Sequence, residues 1–506
     1  MITVSPDILE RFTRCYSLGA ESNPLNVTGS PHFLRVKVPG GIITSDQFRR
    51  IAELATKYSR ELVEITDRQD IQLHWIIAED ALDVFSVMDQ LGFTTDMCGQ
   101  GFGGAGLGDP RNIVCCPVSG IAKGEILNGY PLVKKLTKFF VGNPDFLDLP
   151  RKFKISISGC GTNCIMHEIN DLAFIAVENG DQVGFMLLAG GSVGASLPGP
   201  RLAQSLGIFV KPEDAFDVAV AALETHRDYG NRESKAKARL KWLIEHWGLD
   251  KFRNMLEEKL GKRFERFEGQ PVLKPSDHGG VGLQLQEGYS YVNIPTTAGR
   301  LTSHEMVNIA DLAEKHGNGE LRLTTTQNII IPNVQASEAL LEQLEGLGFP
   351  CNGSIPGRTS IGCPSEFCGK TKSTHAKELV NEIIAHLETN FNKAVLDEAE
   401  FRIHISGCPN NCCASTTAEI GLNAKRVKEG DEIKQTYDLY LGGGFGSDPS
   451  FGKLVEKNIP AEESKYKIAS LLNGYVENKN PSENLRKFCN RHTNDELNVY
   501  LNKAGG

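Results

Sequence analysis

The sequence predicts an α+β (mixed α/β) chain that is internally duplicated, and three observations predict it. Arg35-Val-Lys-Val-Pro-Gly-Gly-Ile-Ile-Thr-Ser-Asp-Gln-Phe aligns with Tyr291-Val-Asn-Ile-Pro-Thr-Thr-Ala-Gly-Arg-Leu-Thr-Ser-His-Glu-Met across one small insertion. Asp109-Pro-Arg-Asn-Ile-Val-Cys-Cys-Pro matches Gly357-Arg-Thr-Ser-Ile-Gly-Cys-Pro. Ser158-Gly-Cys-Gly-Thr-Asn-Cys164 matches Ser406-Gly-Cys-Pro-Asn-Asn-Cys412. One two-domain unit has therefore been used twice.

In chain order, each copy opens with a strand and continues into a helix marked by Ile51-Ala-Glu-Leu-Ala or Ile309-Ala-Asp-Leu-Ala. Each helix gives way to a segment of alternating polarity, Leu62 to Leu73 and Leu321 to Ile331, read as a strand. Glycine-rich turns follow apolar strands at Leu187-Leu-Ala-Gly-Gly-Ser and Leu439-Tyr-Leu-Gly-Gly-Gly-Phe-Gly, where backbone can come close to a ligand. Residues 210–265 read as helix with charges of alternating sign, a solvated face rather than a docking patch. The polar, glycine-containing stretch from Glu268 to His278-Gly-Gly reads as the linker between the copies.

A chain of 506 residues with 40% apolar and 23% charged composition can bury several cores. A formal charge of −9 excludes a general nucleic-acid binder, which needs an excess of clustered Lys and Arg. The N-terminal Met-Ile-Thr-Val-Ser-Pro-Asp lacks the basic flank and apolar core of a secretory signal, and no run of eighteen apolar residues follows. The expected compartment is the cytoplasm, without membrane contact. Thirteen cysteines, several in close pairs such as Cys115-Cys116 and Cys412-Cys413, suit reduced thiols and metal ligation better than a disulfide framework.

The chemistry concentrates in two cysteine pairs of the second copy, Cys363 with Cys368 and Cys408 with Cys412. Four thiolates on two loops are the donor set of an iron–sulfur cluster, and also of a structural zinc. The size of the chain favours the cluster, because structural zinc usually serves small domains. The first copy keeps Cys160 and Cys164 but has no partner at the spacing of Cys368, so its cysteines read as a vestige of the duplication. A second cluster on Cys115 or Cys116 with Cys160 and Cys164 is the alternative.

The first copy carries charge where the second does not. Arg68 stands where the second copy has Thr326, and Arg151-Lys152-Phe153-Lys154 precedes the strand leading to Cys160. In extended chain Lys152 and Lys154 share a face, and with converging arginines they form an anion pocket.

These residues resemble the sirohaem-dependent sulfite and nitrite reductases along nearly the whole chain. The likeness rests on Thr66-Asp-Arg-Gln-Asp-Ile-Gln, Pro110-Arg-Asn-Ile-Val, Leu149-Pro-Arg-Lys-Phe-Lys, Arg239-Leu-Lys-Trp-Leu-Ile-Glu-His-Trp-Gly, Phe367-Cys-Gly, Ser406-Gly-Cys-Pro-Asn-Asn-Cys and Ala418-Glu-Ile-Gly-Leu. The resemblance implies a pseudo-twofold fold: ferredoxin-like half-units at 1–100 and 271–350, a first sirohaem and anion-binding α/β domain with its helical extension at 101–270, and a second, carrying a 4Fe-4S cluster, at 351–506. It implies cluster ligation by Cys363, Cys368, Cys408 and Cys412, with Cys412 shared with the sirohaem iron. It places Arg68, Arg111, Lys152 and Lys154 around the substrate anion, with Arg68 and Arg111 also toward the cofactor. The first cysteine pair departs from the family's C-x5-C: Gly362 holds the usual position and Cys363 comes one residue late.

The implied reaction is six-electron reduction of sulfite to sulfide, with nitrite to ammonia as the alternative and a non-catalytic iron–sulfur electron carrier as the reading from another class. The assigned domains use up the chain, so electrons are expected from a separate protein, a ferredoxin or a flavoprotein.

Overall fold

The computed structural model describes residues 12, 14–16, 19–20, 32–96, 108–194, 199–269, 271, 273–296, 298–367, 374–429 and 432–503; Cys368 lies outside them. Among the described residues no helix is long and apolar enough to cross a membrane.

The first repeat unit contains strands His32–Lys37, Leu62–Ile65 and Ile71–Ile76 with helices Ser45–Tyr58 and Ala81–Gln90. The second contains Ser290–Ile294, Glu320–Leu323 and Ile329–Val334 with helices Ser303–His316 and Ser337–Gly346. The leading helices begin alike because Thr44 with Gln47 and Thr302 with Glu305 each close a capping box, satisfying backbone N–H groups that the first turn leaves unpaired. Phe48, Ile51, Ala52 and Ala55 of one helix and Met306, Ile309, Ala310 and Ala313 of the other face inward at i, i+3, i+4, i+7 spacing into one shared core.

The two units exchange strands. Ile42–Thr44 of the first pairs with Glu320–Leu323 of the second, and Arg300–Thr302 of the second pairs with Leu62–Ile65 of the first. Reciprocal contacts flank the exchange: Ser45 N–H donates to Gly319 O at 2.7 Å and Ser303 N–H to Glu61 O at 2.9 Å.

The alternating segments expected as single strands are hairpins. Gln69 and Gln327 adopt φ of 60° and 65° and reverse the chain, so Leu62–Ile65 pairs antiparallel with Ile71–Ile76, and Glu320–Leu323 with Ile329–Val334. Alternation of polarity continues through a tight turn and therefore hides it.

The other two sheets have one topology. Val114–Cys115, Ile155–Ser158, Leu172–Asn179, Gln182–Ala189 and Gln204–Val210 are neighbours in that order, as are Ile361–Gly362, Ile403–Ser406, Ile420–Glu429, Glu432–Leu441 and Lys453–Pro460. In both, two parallel pairings are followed by two antiparallel ones. The expected duplicated α+β architecture is the observed one.

The helical stretch is three helices, Ala215–Tyr229, Leu240–Trp247 and Leu249–Leu260, the last two divided by Gly248 at φ 78°. Leu223, Phe252 and Leu256 bury their apolar side against the first sheet's core. The linker is docked rather than loose: Lys274–Pro275 forms a short parallel pairing with Thr162–Asn163.

Candidate active site

The site lies where the first copy's charged segments meet the second copy's cysteine loop. Arg68 sits in the hairpin turn 66–70 and is 8% exposed. Its Nη1 donates to Asn170 Oδ1 at 3.0 Å and its Nη2 to the carbonyl of Asn112 at 2.5 Å. Its Nε has no partner among the described residues. Burial lowers its pKa, but a guanidinium stays charged. Asn112 is itself held, its Nδ2 donating to Val38 O and Arg68 O at 2.8 and 3.1 Å.

Arg111 brings its own counterions. It lies 3.5 Å from Asp96 and 3.4 Å from Asp109, which also face Lys37 at 3.6 and 3.4 Å. Against the burial penalty, Arg111 and then Lys37 hold the Asp96 carboxyl down to about 2.

Lys152 and Lys154 differ. Phe153 between them is fully buried and ties the segment to Asp109-Pro110-Arg111: Phe153 N–H donates to Asp109 O at 3.1 Å and Arg111 N–H to Phe153 O at 2.8 Å. Alternation then puts both lysines on the opposite face, half-buried, with no ion pair among the described residues. Asp171 accepts Lys154 N–H at 2.8 Å and forms a 2.7 Å ion pair with Arg239, and the carboxylate that acts on the Lys154 ammonium is Asp67, at a distance longer than an ion pair. Burial first, then repulsion from Lys154 and Arg111, pushes Lys152 down to about 7. Burial first, then Arg68, pushes Lys154 down to about 8.

The cysteine loop enters from the other copy. Cys363 and Cys408 are buried, while Cys412 is solvent-accessible. Desolvation nevertheless raises the Cys412 thiol, and Lys152 and Lys154 are among the charges opposing that rise. Cys412 is thus solvent-accessible and within electrostatic reach of the first copy's lysines. Asn411, at φ 51°, anchors the loop: its Oδ1 accepts from Ser406 and Ser415, and its Nδ2 donates to Thr416 Oγ1 at 2.8 Å and across the halves to Val193 O at 3.0 Å. Val193 belongs to the first glycine-rich turn.

Cys363 Sγ accepts the Gly407 N–H at 3.0 Å and a hydrogen bond from Cys413, which lowers the Cys363 thiol. The late placement of Cys363 has a steric cause. A Cβ at Gly362 would come within 2.9–3.0 Å of backbone at Lys377 and Ala376, so that position has no room for a cysteine.

The structure thus brings Lys152 and Lys154 together, sets Arg68 and Arg111 beside them, and turns Cys412 toward them. The donor set fits the implied groups: soft thiols for a cluster, and for an anionic macrocycle or substrate, cations with no ion pair and a guanidinium edge with no partner among the described residues. Asn112 and Asn170, which aim Arg68, were not singled out in the sequence, although Asn112 lies inside the Pro110-Arg-Asn-Ile-Val match. In the first copy, Cys116, Cys160 and Cys164 gather with His278, their ligand atoms all within 4.8 Å of one another. Hydrogen bonds from Cys116 and Cys164, with His278 alongside, draw the Cys160 thiol well below its ordinary value.

Comparison with known proteins matches residues 107–264 and 358–498 to the nitrite and sulphite reductase 4Fe-4S domain. Residues 28–91 and 283–345 match the nitrite/sulfite reductase ferredoxin-like half domain. The chain is 31% identical over 477 residues to a sulfite reductase [ferredoxin] of Mycobacterium tuberculosis, covering 92% of this chain and 83% of that protein. It is 33% identical over 462 residues to a ferredoxin–nitrite reductase of Leptolyngbya laminosa, covering 88% and 87%. The solved structure of the Mycobacterium tuberculosis NirA protein superposes with a TM-score of 0.86 at 28% identity, covering 98% of this chain and 92% of that one.

Proposed function

This chain belongs to the nitrite and sulphite reductase family, and from that premise we propose that it catalyses the six-electron reduction of sulfite to sulfide. It is an oxidoreductase with sirohaem and a 4Fe-4S cluster as cofactors. When bound, these supply electron storage and an iron that takes the anion. We read the units as 1–100, 101–270, 271–350 and 351–506, and the cluster ligands as Cys363, Cys368, Cys408 and Cys412. A separate ferredoxin would deliver the electrons, as the relatives named for ferredoxin suggest, and we read the compartment as the cytoplasm.

The observation that carries the reading is that Lys152 and Lys154, half-buried and within electrostatic reach of Cys412, form no ion pair among the described residues. A desolvated cation with no internal partner is unfavourable until an anion arrives, so the pocket stores affinity for one. Arg68, aimed by Asn112 and Asn170, would offer its unpartnered Nε–H to a substrate oxygen. Arg111, neutralised by Asp96 and Asp109, would supply direction more than net charge. Each oxygen leaves as water and needs protons; an ammonium whose pKa lies near 7 both holds charge and gives up a proton readily, which is the role assigned to Lys152. Burial of Phe153 keeps the two lysines from turning away.

Nitrite reduction is the second reading, favoured by the 33% identity to a ferredoxin–nitrite reductase. Sulfite is preferred because two adjacent unpaired cations suit a dianion, for which the Coulomb gain is about twice that of a monoanion at equal distance. A visible spectrum of the purified protein together with kcat/KM for both anions tests this. Isobacteriochlorin and cluster bands with a higher value for sulfite support it; a higher value for nitrite overturns the substrate.

A further inference from the structure

The first copy's cysteines occupy the places of the cluster ligands, but their geometry is that of a different site. The register is set by matching hydrogen bonds: Gln69 brackets Cys115 as Gln327 brackets Gly362, and Cys116 N–H donates to Ile157 O as Cys363 N–H donates to Ile405 O, both at 3.2 Å. Cys116, Cys160 and Cys164 are therefore the structural mates of Cys363, Cys408 and Cys412. The fourth group is His278, delivered by the linker.

We propose that Cys116, Cys160, Cys164 and His278 bind a single tetrahedral zinc ion. A tetrahedral ion with Zn–S about 2.3 Å and Zn–N about 2.0–2.1 Å puts neighbouring ligand atoms about 3.5–3.8 Å apart. Here Cys160 Sγ is 3.5 Å from Cys164 Sγ, and His278 Nε2 is 3.5 Å from Cys116 Sγ and 3.8 Å from Cys160 Sγ. Four donors packed into one ion's coordination shell leave no space for a cubane, and three thiols with one imidazole are a structural zinc set. A Cys160–Cys164 disulfide would use two of the thiols and leave Cys116 and His278 without a purpose.

The surroundings are built to hold the four groups. Ser158 Oγ and Thr162 Oγ1 lie 3.5 and 3.3 Å from Cys160 Sγ, as hydrogen-bonding neighbours of a thiolate do. His278 is held at φ 51°, in the left-handed region that most non-glycine residues avoid, by its N–H donating to Ser276 Oγ and by Asn293 Nδ2 donating to the carbonyls of Asp277 and His278. Tyr291 packs edge-on against its ring, and the pairing of Lys274–Pro275 with Thr162–Asn163 brings the linker alongside the loop. The ion would fasten the linker between the two copies to the loop that leads on to Asn170 and Asp171, which position Arg68 and Lys154. Its role is structural, not catalytic.

The test is elemental analysis and zinc-edge X-ray absorption on the holoenzyme purified under reducing conditions. The expected result is about one zinc per chain with three sulfurs at about 2.3 Å and one nitrogen at about 2.0 Å. In the Cys160→Ser/Cys164→Ser double variant zinc should fall at least tenfold, with iron content and sirohaem bands kept. Should that variant not fold, His278→Ala serves instead: the nitrogen scatterer disappears and a chelator strips the zinc at least tenfold faster than from the parent. The proposal is overturned by a parent protein that takes up no zinc from a stoichiometric supply, by a native Cys160–Cys164 disulfide in mass spectrometry, by iron in place of zinc at these residues, or by variants that hold zinc as the parent does.

Discussion

Gln69 and Gln327 hold the same place in two copies of one turn. Gln69 bonds through its side-chain amide to both backbone groups of Cys115, at 2.9 and 2.8 Å, and Gln327 does the same to Gly362, at 3.0 and 3.2 Å. Arg68 and Thr326 precede them in equivalent positions, so the turn folds with either a cation or a hydroxyl at that site.

Arg68→Thr should therefore copy a conformation the chain already uses, leaving fold and cofactors intact. A charge-assisted hydrogen bond lost in a buried pocket costs about 1.5–3 kcal/mol, so kcat/KM for sulfite should fall roughly tenfold to a hundredfold. Steady-state kinetics with unchanged visible spectra would check this; unchanged kcat and KM would remove Arg68 from the pocket.

Lys154→Asn should move selectivity toward nitrite. Removing one cation near the substrate costs a dianion about twice the Coulomb energy it costs a monoanion. The ratio of kcat/KM for sulfite to that for nitrite should fall by roughly tenfold or more. A ratio that does not move would mean that Lys154 does not select the substrate.

Anion affinity should depend on pH through the same lysines. Nitrite keeps one charge across neutral pH, so any change belongs to the protein. With Lys152 at about 7 and Lys154 at about 8, affinity should be strongest below pH 7 and weaken as pH rises past 8, with proton uptake on binding. The stability sign follows: without an anion, the native state binds fewer protons than the unfolded one between about 7 and the ordinary lysine value of 10.5, so stability rises with pH there. Spectral titration of nitrite at several pH values, repeated on Lys152→Met, should show the lower step disappear.

Acid should loosen the join between the halves. Buried Glu64 sits between Arg300 at 2.8 Å, His74 at 3.1 Å and Lys377 at 3.7 Å. Burial opposes its ionisation, but Lys377 first and then His74 and Arg300 hold the carboxyl well below its ordinary value near 4.5. Burial also lowers Lys377, on which Glu64 is the leading anion; Glu64, with the Arg300 guanidinium, the Lys377 ammonium and the His74 imidazole around it, is the securely charged partner. Its contribution is complete above about 4.5 and lost as pH falls toward the depressed value. Lys377→Met should cost about 3–5 kcal/mol by breaking a buried pair and shift the midpoint of acid unfolding upward, measured by circular dichroism.

Cys408→Ser should cost the cluster. Loss of one thiolate of four should remove roughly four irons per chain and disturb the sirohaem bands. Retention of that iron would exclude Cys408 as a ligand. Gly362→Ala separately tests the crowding against Ala376 and Lys377, with an expected loss of about 1–3 kcal/mol by overpacking.

The duplication and both cysteine loops were legible because they are written as local strings: Ser158-Gly-Cys and Ser406-Gly-Cys can be laid side by side without knowing the fold. The shared face of Lys152 and Lys154, on which the proposed anion pocket rests, was legible from their spacing. The hairpin at Arg68 was not, because a left-handed glutamine carries no glycine-like signature and polarity alternates straight through it. His278 read only as part of a linker. Its partners Cys116 and Cys160 are 162 and 118 residues away. A lone histidine among glycines in a linker was the available signal. Asn170, 102 residues from Arg68, was hidden for the same reason.

The exchange of strands between the repeat units has a consequence for synthesis. The sheet that contains His32–Lys37 takes Arg300–Thr302 as an edge strand, so a ribosome must release some three hundred residues before the first half can finish its own sheet. Until then Leu62–Ile65 presents an open edge, the kind of surface that invites pairing with other chains. The pairing is also of high contact order, which slows folding. Neither half is a self-sufficient object, and a gene cut at the linker would yield two fragments each lacking a strand that the other carries.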